Sequence, residues 1–276
     1  MRDWAIGLST GCFYQKSIFD CLETIGSGGF NLVEICSFPA HLNYHDTGAV
    51  HRAAEKMASI GIEAYSFHAP FADHIDITSL DARRREQGVK EVLVAAEAAA
   101  VLRARNFVIH PGPEHALYPT GDERWWRLEH VARSLSTIAT RCQELGVLCV
   151  LENKLSHLLF GNIPDMMWIL GAMTTTHVGV CLDTGHAYLA RNLDSAMHKL
   201  AGYLKMVHAS DNSGHHDDHL PPGEGHIDWV NVLRKLGDSG FQGSIMLEIA
   251  GRGEPHEVMA AARKARRYLR DQERKL

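Results

Sequence analysis

Short apolar runs alternate with longer amphipathic segments along the whole chain. The runs at residues 4–9, 32–36, 63–68, 106–110, 148–152, 178–183, 204–208 and 244–248 are too short for buried helices and read as strands. Helical patterns lie between them, over residues 17–27, 49–60, 80–103, 122–145, 163–172, 194–200, 229–236 and 255–270. In the fourth of these, Trp125, Leu128, Val131, Leu135 and Ile138 recur at the 3.6-residue period that lines one helix face. Gly61, Gly146 and Gly240 stand where helices end, positions that favour a left-handed cap. Eight strand–helix units without a Pro/Ser-rich linker predict an α/β fold: a single (β/α)8 TIM barrel, residues 1–276 as one domain. The longest connection, residues 209–228, is of a length that compact domains usually keep for function.

Composition narrows the picture. Of 276 residues, 45% are hydrophobic and 22% charged, an ordinary globular balance, and the net charge of −5 offers no bulk attraction for nucleic acid. The basic cluster Arg263, Lys264, Arg266, Arg267 and Arg270 fits the wet face of the last helix. The six cysteines form no C-x-x-C pair, and several sit inside apolar runs where they read as small core hydrophobes. No apolar signal core follows Met1-Arg2-Asp3-Trp4, and the longest apolar candidate, residues 92–102, is interrupted by Glu97. The expectation is a soluble, cytoplasmic, reduced protein. The 18 histidines are a surplus, and their placement carries the chemistry.

Strands three to eight end, in turn, on His68, His110, Glu152, Asp183, His208 and Glu248. Barrel enzymes build their sites at these C-terminal strand ends. One histidine there is commonly structural, but six consecutive strand ends bearing metal-capable side chains point to a metal centre. His186 lies three residues beyond Asp183, and Asp217 and His219 lie in the long loop, among the alternatives Asp211, His215, His216 and Asp218. Mixed imidazole and carboxylate donors suit zinc, manganese, cobalt or iron(II), and magnesium less well.

The combination Phe67-His68-Ala69-Pro70, Ile109-His110-Pro111-Gly112, Leu151-Glu152-Asn153, Leu182-Asp183-Thr184-Gly185-His186, the loop 217–225 and Leu247-Glu248 resembles the xylose isomerase-like TIM-barrel superfamily. That superfamily includes sugar isomerases and epimerases and the endonuclease IV-like nucleases. The resemblance implies a shared metal held by Glu152, Asp183, His208 and Glu248. It implies two more metals in endonuclease IV-like members, one on His68 and His110 with Glu152 bridging, the other on His186, Asp217 and His219. The expected cofactor is therefore a divalent metal, zinc or manganese, at one to three ions per chain.

The segment Gly29-Phe30-Asn31-Leu32-Val33-Glu34-Ile35 is similar to the second-strand signature of the sugar isomerases, and no segment matches the nuclease's DNA-inserting loops. Ketohexose epimerases usually carry an Arg soon after the strand-seven His, whereas Asn212-Ser213-Gly214 follow here, which argues against a simple ketose epimerase. The motif Gly223-Glu224-Gly225-His226-Ile227-Asp228-Trp229 is common across the superfamily.

The expected activity is isomerisation or epimerisation of a small sugar, polyol or sugar-derived substrate of carbohydrate metabolism. Glu152 and Glu248 would act as catalytic base and acid through a metal-bound enediolate. His68, His186 and Trp229 would contact substrate. The alternatives are a multinuclear-zinc phosphoesterase and a keto-polyol dehydratase. Phe13, Tyr14, Phe38 and Phe71 could shape a sugar pocket, and Trp125 and Trp126 fall at core or interface positions of a helix. The expected partner is a small-molecule substrate. Membranes and duplex DNA are not expected, and a homo-oligomer is open.

Overall fold

The computed structural model describes residues 3–113, 119 and 121–276. Its strands are β1 (Ile6–Ser9), β2 (Leu32–Cys36), β3 (Glu63–His68), β4 (Asn106–Ile109), β5 (Leu148–Glu152), β6 (Val178–Asp183), β7 (Leu204–Ala209) and β8 (Ser244–Leu247). They close in sequence order into one parallel barrel, β8 pairing back onto β1 through Gly7 opposite Met246. The expected strands are all present. Pairing stops one residue early at β4 and β8, so His110 and Glu248 are the first residues past their strands.

The helices are α1 (Ile18–Ser27), α2 (Thr47–Ser59), α3 (Ala82–Val101), α4 (Asp122–Glu144), α5 (Ile163–Ala172), α6 (Thr184–Leu189), α7 (Leu193–Leu200), α8 (Trp229–Asp238) and α9 (Pro255–Glu273). Helix α6 lies between the expected sixth strand and the next expected helix, where the apolar pattern marked no element. Its six residues are too few to show a period, and it starts because the Asp183 carboxylate accepts the His186 N–H at 2.6 Å as an N-cap.

Alternation along the strands sorts side chains into two apolar groups. On β5, Cys149 and Leu151 face the helices, whereas Val150 and Glu152 face the barrel interior. The interior is plugged by Tyr65, Val108, Val150, Cys181, Met206 and Met246, so the barrel is solid beneath its mouth. Register between β2 and β3 slips at Tyr65: Val33 pairs with Ala64, but Glu34 pairs with Ser66. This bulge lets Tyr65 plug the interior while Ser66 still faces Glu34.

All six cysteines are buried and free, as expected of core hydrophobes. No helix among the described residues is long and apolar enough to cross a membrane. The expectation for Trp125 and Trp126 needs correcting as to the core: both are more than half exposed on α4, because the buried face runs through Leu128, Val131 and Leu135 instead.

Phe107 on β4 is wholly buried and its ring stacks on that of Phe67 at 6.2 Å. Phe107→Ala should cost about 3–5 kcal/mol of unfolding free energy. Urea denaturation would show this as a lowered midpoint at unchanged slope, and a loss under about 1 kcal/mol would mean that the site collapses around the cavity.

Candidate metal centre

The barrel mouth gathers all nine residues proposed as ligands into three groups, within each of which one donor atom per residue lies within 4.8 Å of the others. One is His68, His110 and Glu152. The second is Glu152, Asp183, His208 and Glu248. The third is His186, Asp217 and His219. Glu152 belongs to the first two. Its Oε2 faces His68 Nε2 at 3.2 Å and His110 Nε2 at 3.3 Å, and its Oε1 faces His208 Nδ1 at 3.1 Å. Glu248 Oε2 meets the same His208 nitrogen at 3.2 Å. In the third group Asp217 Oδ2 is 3.2 Å from the Nε2 atoms of both His186 and His219.

The outward nitrogens explain this geometry. His68 Nδ1 lies 2.9 Å from the Ala69 carbonyl, His186 Nδ1 2.9 Å from the Asn153 carbonyl, and His219 Nδ1 3.2 Å from the Glu248 carbonyl. A carbonyl only accepts, so each Nδ1 carries the proton and each Nε2 is left to bind a cation. Asn153 also accepts the Asp183 N–H at 2.9 Å and donates to the Asp183 carbonyl at 3.0 Å, which locks the ends of β5 and β6 together.

The electrostatics are those of acceptors aimed at one another. Burial would raise the Glu152 carboxyl, but the imidazoles of His208 and His110 outweigh it and hold Glu152 well below the usual range. Burial likewise opposes ionisation of Glu248, yet His208 brings it down to about 2. Asp183 goes the other way, to about 7, because burial and the nearby Glu248 and Glu152 charges exceed the help from His186. Burial lowers His219, but Asp217 and Glu248 raise it to about 10. Among the described residues, Asp217 Oδ1 and Glu248 Oε2 at the site are buried without a hydrogen-bond donor. Converging imidazoles and carboxylates with orphaned acceptors fit divalent cations of the zinc or manganese kind.

The long loop delivers the third group. Asp211 and Leu220 form an antiparallel bridge, each N–H 2.8 Å from the other's carbonyl, which clips residues 212–219 into an arm over the mouth. The Asp211 carboxylate is buried and accepts from the N–H groups of Asn212, Gly223 and Ile227 and from Trp229 Nε1 at 2.8 Å. A Cβ at Gly225 would lie 2.2 Å from Asp211 Oδ1, which accounts for that glycine in the loop motif. His219 adopts φ +45°, a conformation costly for a side-chain-bearing residue; its carbonyl accepts Ala250 N–H at 2.8 Å, tying this turn to the segment after β8.

Among the loop's alternatives, Asp211 organises the backbone, Asp218 accepts from Ser213, and His215 and His216 are exposed. Trp229 requires a correction: it is buried at 1% exposure and spends its indole N–H on Asp211, so it holds the loop and presents no face to a substrate. Phe13 is also buried, whereas Tyr14, Phe38 and Phe71 remain partly exposed in a chain of ring contacts, with Phe71 5.3 Å from the His110 ring. Sequence reasoning did not single out Glu34, which faces His208 Nε2 at 2.9 Å; the available signal was a charge inside the apolar run of β2.

A closed parallel barrel with acidic and imidazole donors at its mouth defines the class. Within it, the chain belongs to the xylose isomerase-like TIM barrel family, whose profile matches residues 22–272. An uncharacterised protein of Methanocaldococcus jannaschii is 29% identical over 251 residues, 89% of this chain and 84% of its own. A probable endonuclease 4 of Nitratidesulfovibrio vulgaris is 25% identical over 209 residues, 66% of this chain and 71% of its own. Among solved structures, a D-tagatose 3-epimerase-like protein superposes with a TM-score of 0.84 at 26% identity, covering 97% of this chain and 96% of its own.

Two predictions follow from the donor geometry. A cation must displace the protons on Asp183, at about 7, and on His219, at about 10, so zinc affinity should climb as pH rises through neutrality. Chelator competition between roughly pH 6 and pH 8 reads this, and a flat profile would contradict it. His219→Ala should reduce bound zinc by about one ion per chain in elemental analysis; an unchanged content would leave Asp217 and His219 as ordinary loop residues.

Proposed function

We propose that this chain is a divalent-metal-dependent isomerase or epimerase of a small sugar, polyol or sugar-derived substrate. The observation that carries the reading is the convergence of two carboxylates from well-separated strands, Glu152 at the end of β5 and Glu248 just past β8, on the single nitrogen His208 Nδ1 beside Asp183. Similarity to the D-tagatose 3-epimerase-like protein supports it. A cation held by Glu152, Asp183, His208 and Glu248 would polarise a chelated carbonyl and acidify the neighbouring C–H.

The two carboxylates then have different parts. The Glu248 side chain is 22% exposed and that of Glu152 only 1%. Glu248 is thus the group that a substrate carbon can approach from solvent, and it takes the proton. Glu152, on the interior side, is held ionised, so the proton it returns to the enediolate first reaches it from an imidazole that it faces, His68 or His110. His186 and His68, whose Nδ1 atoms are taken by backbone carbonyls, would offer Nε2 to substrate oxygens.

A second reading, multinuclear phosphoester hydrolysis, is favoured by one specific observation: Glu152 Oε2 is shared between His68 and His110 while Oε1 faces His208, the arrangement of a bridging carboxylate. The similarity to a probable endonuclease 4 points the same way. Keto-polyol dehydration shares the first proton abstraction of the leading reading.

The test is proton exchange. With keto-sugars in deuterated solvent, NMR should show deuterium entering the substrate, and Glu152→Gln or Glu248→Gln should each slow this by roughly a hundred- to ten-thousand-fold with the circular dichroism unchanged. Near-normal exchange in either variant would remove the two-carboxylate mechanism. No exchange with any keto-sugar, together with turnover of a phosphate ester, would establish the hydrolytic reading.

A further inference from the structure

Glu34 is an anomaly within the barrel. It lies on β2, a strand that contributes nothing to the three donor groups, and it is completely buried. Its hydrogen-bond partners among the described residues are two hydroxyls and one imidazole. Ser9 Oγ donates to Oε1 at 3.0 Å, Ser66 Oγ donates to Oε2 at 2.8 Å, and His208 Nε2 faces Oε2 at 2.9 Å. A buried carboxylate is costly to keep, and an apolar side chain would fill the same space at less cost.

We infer that Glu34 is a positioning residue of the metal centre, which fixes His208 as an Nδ1 ligand, the reverse of His68, His186 and His219. The inference rests on the reading that Glu152, Asp183, His208 and Glu248 hold a divalent cation. Both ring nitrogens of His208 face carboxylates, Nε2 the Glu34 oxygen and Nδ1 those of Glu152 and Glu248; a cation among the Glu152, Asp183 and Glu248 oxygens would take the place of the Nδ1 proton, and Glu34 then keeps the remaining proton on Nε2. Both hydroxyls donate to Glu34, so the carboxylate is held from β1 and β3 as well as from its own strand. The ring of His208, on β7, is thereby oriented from across the barrel. The negative charge behind the imidazole also strengthens it as a donor to a cation. The bulge at Tyr65 contributes to this support, because the register after the slip sets Ser66 opposite Glu34.

The experiment uses the full chain loaded with zinc. Imidazole nitrogen NMR of the wild-type protein should show one histidine coordinated through Nδ1 with its proton on Nε2, and His208→Gln should remove that signal. Glu34→Gln should weaken zinc binding roughly 10- to 100-fold in chelator competition. A purely structural Glu34 would lower the melting temperature of the metal-free protein and leave zinc affinity alone, and that result overturns the inference. So does coordination of His208 through Nε2, which the wild-type spectrum decides even if Glu34→Gln does not fold. If the wild-type protein binds neither zinc nor manganese, the metal reading itself falls; if it binds zinc and Glu34→Gln binds it equally well, only the role of Glu34 does.

Discussion

A carboxylate buried as deeply as Glu152 can stay ionised only while positive charge surrounds it, and the barrel mouth is arranged around that requirement. Three imidazoles, from β3, the end of β4 and β7, turn toward its two oxygens. Those rings are oriented in turn: His68 by a backbone carbonyl, His208 by Glu34. Removing any one of them would leave charge stranded in a region that the apolar plug of Val108, Val150 and Met206 closes from below.

The long loop after β7 extends the same logic to the rim. Asp211 gathers four N–H donors and so turns an irregular stretch into a defined arm that carries Asp217 and His219 to His186. The unfavourable backbone of His219 is sustained by contacts on both sides, its carbonyl bonded to Ala250 and its ring to the Glu248 carbonyl. The third group therefore depends on the segment after β8 as much as on its own loop.

The two chemistries that compete for this site use one donor set. Carbonyl polarisation needs the four residues around His208, whereas phosphate clamping also needs the flanking groups to act as ligands. Family membership leaves both open, since a fold hosts many reactions and the site decides among them. What separates the readings in this chain is the part taken by His68, His110 and the loop arm: contacts to substrate oxygens in one, cation ligands in the other.

The periodicity of the chain was enough to place the eight strands, because a strand buried on both faces must be apolar over its length and a helix wrapping a barrel must be amphipathic. Strand ends bearing His68, His110, Glu152, Asp183, His208 and Glu248 were legible for the same reason: such polar side chains stand out where an apolar run ends and its strand opens onto the barrel mouth. Side-chain partnerships were not legible. Nothing local says that Trp229 would turn inward to Asp211, that Asp183 would start a short helix, or that Glu34 would reach His208, 174 positions away. Those pairings arise only when closure of the barrel brings distant strands within hydrogen-bond distance, where burial leaves each polar group no choice but to find the partner that geometry supplies.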